Sequence, residues 1–75
     1  MHRMKLTDPV SGVAVEVVRY RCIYEVRDQD GGYLGFLDRR LNASGRPEYR
    51  AAGCSDTWHP TIGEAVSDLF GGSGR

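Results

Sequence analysis

The sequence has no excess of charge of either sign. Its 75 residues contain ten basic and ten acidic side chains. A dedicated nucleic-acid-binding domain of this size usually has a positive excess, because contacts to phosphate supply most of its affinity. A protein that mimics DNA would have a negative excess. The balanced charge therefore weakens the expectation for both classes and is typical of an ordinary globular domain.

Long apolar runs and metal-binding cysteine pairs are also absent. The sequence contains no run of about 18 apolar residues, the length that could span a membrane. No apolar signal segment follows the basic residues of Met1–Leu6. The two cysteines, Cys22 and Cys54, do not form a Cys-x-x-Cys pair. We expect one cytoplasmic domain over residues 1–75, without metal or other cofactor. Free thiols are favoured over a bridge between the cysteines.

Alternation of apolar and charged residues is clearest in Val13–Asp28. Within Val18–Arg27 it predicts a half-buried antiparallel strand, with arginines on the charged face. The valines of Val13–Val17 have the opposite parity. One strand can accommodate both sets if a bulge lies near Val17–Val18, or if the first segment is buried on both sides, for example against another copy of the chain. The apolar set of the long strand is Val18, Tyr20, Cys22, Tyr24 and Val26.

Three further segments, each bounded by turn-forming residues, are predicted to be strands. They are Met4–Thr7, Tyr33–Leu37 and Arg46–Ala52, and glycine, proline, aspartate or asparagine residues separate them from their neighbours. Gly35 within the second of these predicts a bulge or a close approach by neighbouring backbone. Together the segments predict an α+β fold, a three- to four-stranded antiparallel sheet with one C-terminal helix packed on one face.

The helix has clear start and stop signals. Thr61–Glu64 matches the capping box, in which the threonine and glutamate side chains satisfy free backbone amides. Gly71 and Gly72 favour the end of the helix. We expect an ordered core over about residues 4–71 and a frayed tail over residues 72–75. The apolar stripe of the helix is Ile62, Ala65, Val66, Leu69 and Phe70.

Few residues suggest catalysis. Cys54, Asp56 and His59 lie within six residues, but catalytic triads are usually assembled from distant segments. A chain this small also has little room for a water-excluding pocket, so neither an enzyme nor a small-molecule substrate is expected. Trp58 is expected to cap the core over the start of the helix. The alternative is an exposed aromatic anchor at an interface.

The distribution of the arginines is the one feature of the sequence that suggests a function. Residues 19–50 contain seven arginines against five acids, a balance of about +2, whereas residues 51–75 have a balance of about −2. Alternate residues of a strand lie about 6.6 Å apart on one face, so we expect five to seven guanidinium groups opposite the helix. The alternative is a solvated face with cross-strand ion pairs. The candidate residues are Arg19, Arg21, Arg27, Arg39, Arg40, Arg46 and Arg50.

Four segments over about residues 20–70 form a pattern of three strands followed by a capped helix. They are Tyr24-Glu25-Val26-Arg27, Tyr33-Leu34-Gly35-Phe36, Tyr49-Arg50-Ala51 and Thr61-Ile62-Gly63-Glu64-Ala65-Val66. This pattern resembles the arm-binding domains of tyrosine integrases and the related AP2-type domains. The resemblance implies that the sheet enters the DNA major groove and that Arg19, Arg21, Arg27, Arg46 and Arg50 contact the DNA.

The sequence therefore predicts a non-catalytic binding module. The favoured hypothesis is a small regulatory or inhibitor-like protein, encoded by a phage or another mobile element, that binds a protein partner or a second copy of itself. Its surface would be the arginine-bearing face, together with the apolar residues Ile23 and Trp58. The alternative hypothesis is a module that binds duplex DNA through the same face of the sheet.

Overall fold

A computed structural model describes residues 2–9, 11–21 and 23–70. The α+β class is confirmed, but the expected number of strands is wrong, because the described residues form five strands and not three or four. The strands pair antiparallel in chain order and form a curled sheet. The elements are β1 (His2–Thr7), β2 (Ala14–Tyr20), β3 (Ile23–Asp28), β4 (Tyr33–Leu41), β5 (Pro47–Ala51) and α1 (Ile62–Leu69).

The additional strand arises because the long alternating segment is two strands and not one. Tyr20 of β2 pairs with Ile23 of β3, so the chain reverses within two residues. Arg21 has a φ of 52°, a conformation uncommon for a residue other than glycine. The predicted bulge near Val17–Val18 is also wrong, because β2 pairs in continuous register with both neighbours. Cys22, which the sequence places in the apolar set of the long strand, lies outside the described residues.

The sheet has one face turned toward α1, which we call the core face, and one turned away, the open face. Eight buried residues from β2, β3, β4, β5 and α1 form the core. Val18 is buried as well, but it lies on the open face, between Arg3 and Glu25 in the strand register. The core residues are Val15, Val17, Tyr24, Val26, Leu37, Ala51, Ala65 and Val66.

The helix begins and packs as its sequence predicts, although the capping box is only half formed. The backbone N–H of Glu64 donates to the Thr61 hydroxyl at 3.3 Å. The Glu64 carboxylate accepts from that same hydroxyl at 3.0 Å and not from a backbone amide. The apolar stripe is confirmed, since its members are buried or packed against the core. The predicted glycine stop and frayed tail lie outside the described residues.

Two contacts near opposite ends of the sheet contribute to the position of α1. Gly35 lies beneath Leu69, and a register shift interrupts the pairing of β3 with β4 beside it. The predicted bulge is thus confirmed, whereas the close approach at Gly35 is made by the Leu69 side chain and not by neighbouring backbone. At the other end of the sheet, the Ser67 hydroxyl donates a hydrogen bond to the buried carboxylate of Asp8, in the β1–β2 connection. The curl of the sheet brings that connection to the helix.

No helix in the described part of the chain combines the length and the apolar character that crossing a membrane requires.

Candidate functional site: the open face

The open face is the broad surface of the sheet that α1 leaves uncovered. The strand registers place five cationic and four acidic side chains on it, together with aromatic and aliphatic residues. Its charged residues are Arg3, Lys5, Arg27, Arg40, Arg50, Glu16, Glu25, Asp38 and Glu48, and its larger apolar residues are Val18, Tyr20, Ile23, Tyr33 and Phe36.

Fewer of the predicted arginines share this face than the sequence suggested. Arg27, Arg40 and Arg50 lie on it, so the expectation of five to seven guanidinium groups from the candidate set is wrong. The reason is the tight reversal between β2 and β3. It places Arg19 opposite Tyr24 on the core-face side, whereas a single strand would have kept Arg19 and Arg27 on one face.

The remaining candidates lie elsewhere. Arg39 pairs with Tyr49 on the core-face side of the sheet. Arg21 is in the β2–β3 turn, and Arg46 is in the β4–β5 loop. Four of the seven candidate arginines therefore lie outside the open face, and three lie on it. The two basic residues that β1 adds to the open face were not among the predicted site residues.

The three predicted arginines of the open face are all ion-paired. Their carboxylate partners lie on the same strand or on the neighbouring strand, and the N–O distances are those of direct salt bridges. Such partly exposed pairs contribute at most about 1 kcal/mol each, so their main effect is to neutralise and orient the guanidinium groups. The pairs are Arg27–Glu25 at 2.9 Å, Arg40–Glu48 at 3.1 Å and Arg50–Asp38 at 2.8 Å.

Arg27 shows the electrostatic effect of this pairing. The Glu25 carboxylate accepts hydrogen bonds from two nitrogens of Arg27, Nε at 3.1 Å and Nη2 at 2.9 Å. The hydrogen bond and the negative charge of Glu25 raise the pKa of the Arg27 guanidinium above its ordinary value. The guanidinium therefore keeps its charge throughout the accessible pH range, with its carboxylate already in place.

Trp58 extends the open face beyond β5. Hydrogen bonds between the backbones of Tyr49 and His59 place the Trp58 segment beside β5. The guanidinium carbons of Arg40 and Arg50 lie over the indole ring, at 4.1 and 4.7 Å from its centre. The expected packing of Trp58 over the start of the helix is therefore wrong. Its half-buried ring supports two arginines through cation–π contacts.

Exposed aromatic residues occupy the rest of the face. Tyr33 and Phe36 contact edge to face, with ring centres 5.3 Å apart, and they are 57% and 39% exposed. Tyr20 pairs with Ile23 across the β2–β3 hairpin. Sequence reasoning missed the three aromatic residues as site residues. The signal for Tyr33 and Phe36 was Gly35, because the irregularity beside a strand glycine changes which side chains share a face.

The residues considered for catalysis have different surroundings, since Cys54 and Asp56 line one pocket and His59 contacts the helix. His59 directs its Nε2 to Asp68 at 2.8 Å and its Nδ1 to Glu64 at 3.5 Å, both on the helix. Cys54 has a free, exposed thiol, and Asp56 is exposed. Within residues 2–9, 11–21 and 23–70, no group of three or more histidine, cysteine or acidic residues could hold a metal ion. The geometry assigns His59 to anchoring the helix.

No protein-family model matches this chain, and no curated protein or solved structure matches it either. The resemblance to integrase and AP2-type domains stays a prediction.

Proposed function

We propose that this protein is a small non-catalytic module that regulates or inhibits another protein by binding it through the open face. The observation that supports this function is the composition of that face. Tyrosine, tryptophan and arginine are the residues enriched at the energetic centres of protein interfaces. Here exposed tyrosines lie on one sheet face with a tryptophan-supported pair of arginines at its edge.

The arrangement of charge favours a protein partner over duplex DNA. Phosphate binding needs positive charge that is free to replace counterions. On the open face, four carboxylates accompany five cationic groups, and the three best-placed arginines are already in salt bridges. DNA would have to displace those carboxylates. A protein can instead pack on the aromatic residues and use the ordered guanidinium groups for its own hydrogen bonds.

Serine substitutions at the aromatic centre test the proposed function. The Tyr33→Ser/Phe36→Ser variant should lose at least about ten-fold in affinity for a partner captured from lysate of the source cells, because large exposed rings provide much of an interface's energy. The Val13→Ser/Leu41→Ser variant is the matched control. It also replaces two exposed apolar residues, at 37% and 58% exposure, but neither lies on the open face, so capture should persist.

Equal capture by both variants would contradict the proposal. Titration with duplex DNA at low salt provides the second measurement. A module that used about four phosphate contacts would lose affinity with a log–log salt slope of about −3.6, and we expect no such binding. A salt slope of that size, abolished in Arg27→Glu/Arg50→Glu, would replace the protein partner with DNA.

A further inference from the structure

The two edges of the sheet differ in how they are covered. At β5, Tyr49 exchanges two backbone hydrogen bonds with His59, at 2.8 and 2.7 Å. The segment after β5 therefore closes that edge. At β1, by contrast, no strand pairs on the outer side among the described residues, since β2 is its one neighbour in the sheet. An uncovered strand presents backbone donors and acceptors to any extended segment that can approach it.

The shape of β1 suits the addition of a strand. It pairs with β2 over six residues without a register shift and contains neither proline nor glycine. All of its residues except Leu6 are exposed. A groove of about 310 Å³ lies beside it and could receive side chains of an added strand. The groove is lined by His2, Arg3, Met4, Val17, Arg19 and Tyr24.

The charge of β1 selects among the possible occupants. The strand carries Arg3 and Lys5 on the open-face side and no acidic residue. Arg3 is 63% exposed and lies 3.8 Å from Glu16, at the limit of a salt bridge, and no ion pair of Lys5 is present in the described part of the chain. If a second copy paired with β1 about Met4, Arg3 of each copy would face Lys5 of the other. Like charges directly opposite each other destabilise a strand pair.

We propose that β1 is a docking edge for an extended segment of a partner protein that carries carboxylates at alternate positions. The segment would add to the sheet as a sixth strand. Its backbone would pair with β1, its carboxylates would face Arg3 and Lys5, and its intervening apolar side chains would enter the groove beside Met4. This interaction uses the sheet edge and not the aromatic centre of the open face, so it stands independently of the proposed function.

A synthetic strand provides the direct test. The probe is a blocked peptide of about seven residues in which glutamate alternates with valine, long enough to cover β1. Titrated into the isotope-labelled full chain, it should shift the backbone amide resonances of β1. N-methylation of one alternate set of its amides should weaken binding by at least about ten-fold, whereas methylation of the other set should leave it within about two-fold, because one edge of an added strand faces β1.

Charge reversal at the edge tests the selectivity. Arg3→Glu/Lys5→Glu should weaken binding of the glutamate peptide by about ten-fold and create binding to the same peptide with lysine in place of glutamate. Arg21→Glu/Arg46→Glu is the matched control, because it makes the same change in net charge at exposed turn and loop positions. The affinity of this control variant for the glutamate peptide should be unchanged.

Three outcomes would overturn the docking edge. The first is equal binding of the glutamate peptide to the reversed and control variants. The second is a set of resonance shifts confined to the region of Tyr33 and Phe36, which would place the peptide on the open face. The third is protection of the β1 amides that rises with protein concentration in the absence of peptide, because a second copy of the chain would then occupy the edge.

Discussion

At the scale of the residue, Gly35 determines how closely α1 approaches the sheet. A Cβ at this position would lie 2.7 Å from Cδ2 of Leu69. Gly35→Ala should therefore lower the free energy of unfolding by about 1–3 kcal/mol, because an overpacked core must shift. Gly63→Ala is the matched control, since a Cβ there meets no atom within 4 Å, and alanine should raise helix stability by up to about 1 kcal/mol. Urea unfolding measures the free energy of unfolding of both variants. If Gly35→Ala were as stable as Gly63→Ala, the Leu69 side chain would move aside freely.

Trp58 shows at the same scale how one side chain prepares a surface. The ring lies under Arg40 and Arg50, and each guanidinium group is also paired with a carboxylate, Glu48 for Arg40 and Asp38 for Arg50. Arginines held in this way lose less side-chain entropy when a partner binds. This is the physical basis for including the edge beside β5 in the proposed interface.

At the scale of the element, the start of α1 depends on one side chain. Thr61→Ala removes the oxygen that accepts from the backbone N–H of Glu64, and we expect a loss of about 1 kcal/mol in the free energy of unfolding. Thr61→Ser should retain most of the stability, because serine supplies the same oxygen. Thr57→Ala, an exposed threonine four residues before the cap, is the control and should have little effect. If Thr57→Ala and Thr61→Ala were equally destabilising in thermal unfolding, the cap would not explain the effect.

At the scale of the whole molecule, a hydrogen bond joins the first hairpin to the last element. Ser67 of α1 donates to the buried Asp8 carboxylate, across 59 positions of sequence. Ser67→Ala should lower the free energy of unfolding by about 1–3 kcal/mol, a loss that the better helix propensity of alanine reduces by up to about 0.5 kcal/mol.

Hydrogen exchange distinguishes this tie from a general effect on stability. In Ser67→Ala, the amides of β1 should exchange faster relative to those of β4 and β5, because the β1–β2 connection is no longer held against the helix. Ser44→Ala, in the exposed β4–β5 loop, is the control. A uniform increase in exchange along all five strands would contradict the local role of Ser67.

The parts of the fold that could be predicted are those encoded over short distances. The helix start at Thr61 and the apolar stripe each lie within about ten residues, and they formed as expected. The reversal at Arg21 could not be predicted, because no glycine or asparagine marks it among the described turn residues. That one turn separated Arg19 from Arg27, so the predicted arginine face changed with it.

The sequence by itself determined the α+β class, the helix and its buried stripe, because hydrophobic periodicity and capping act between neighbours in the chain. The tertiary structure alone decided which side chains share the open face. Strand register paired Arg50 with Asp38, and the backbone bonds of His59 to Tyr49 placed the Trp58 segment beside β5, under two arginines. Those arrangements depend on contacts between separate strands, and a change of one residue in register reverses the face of every side chain.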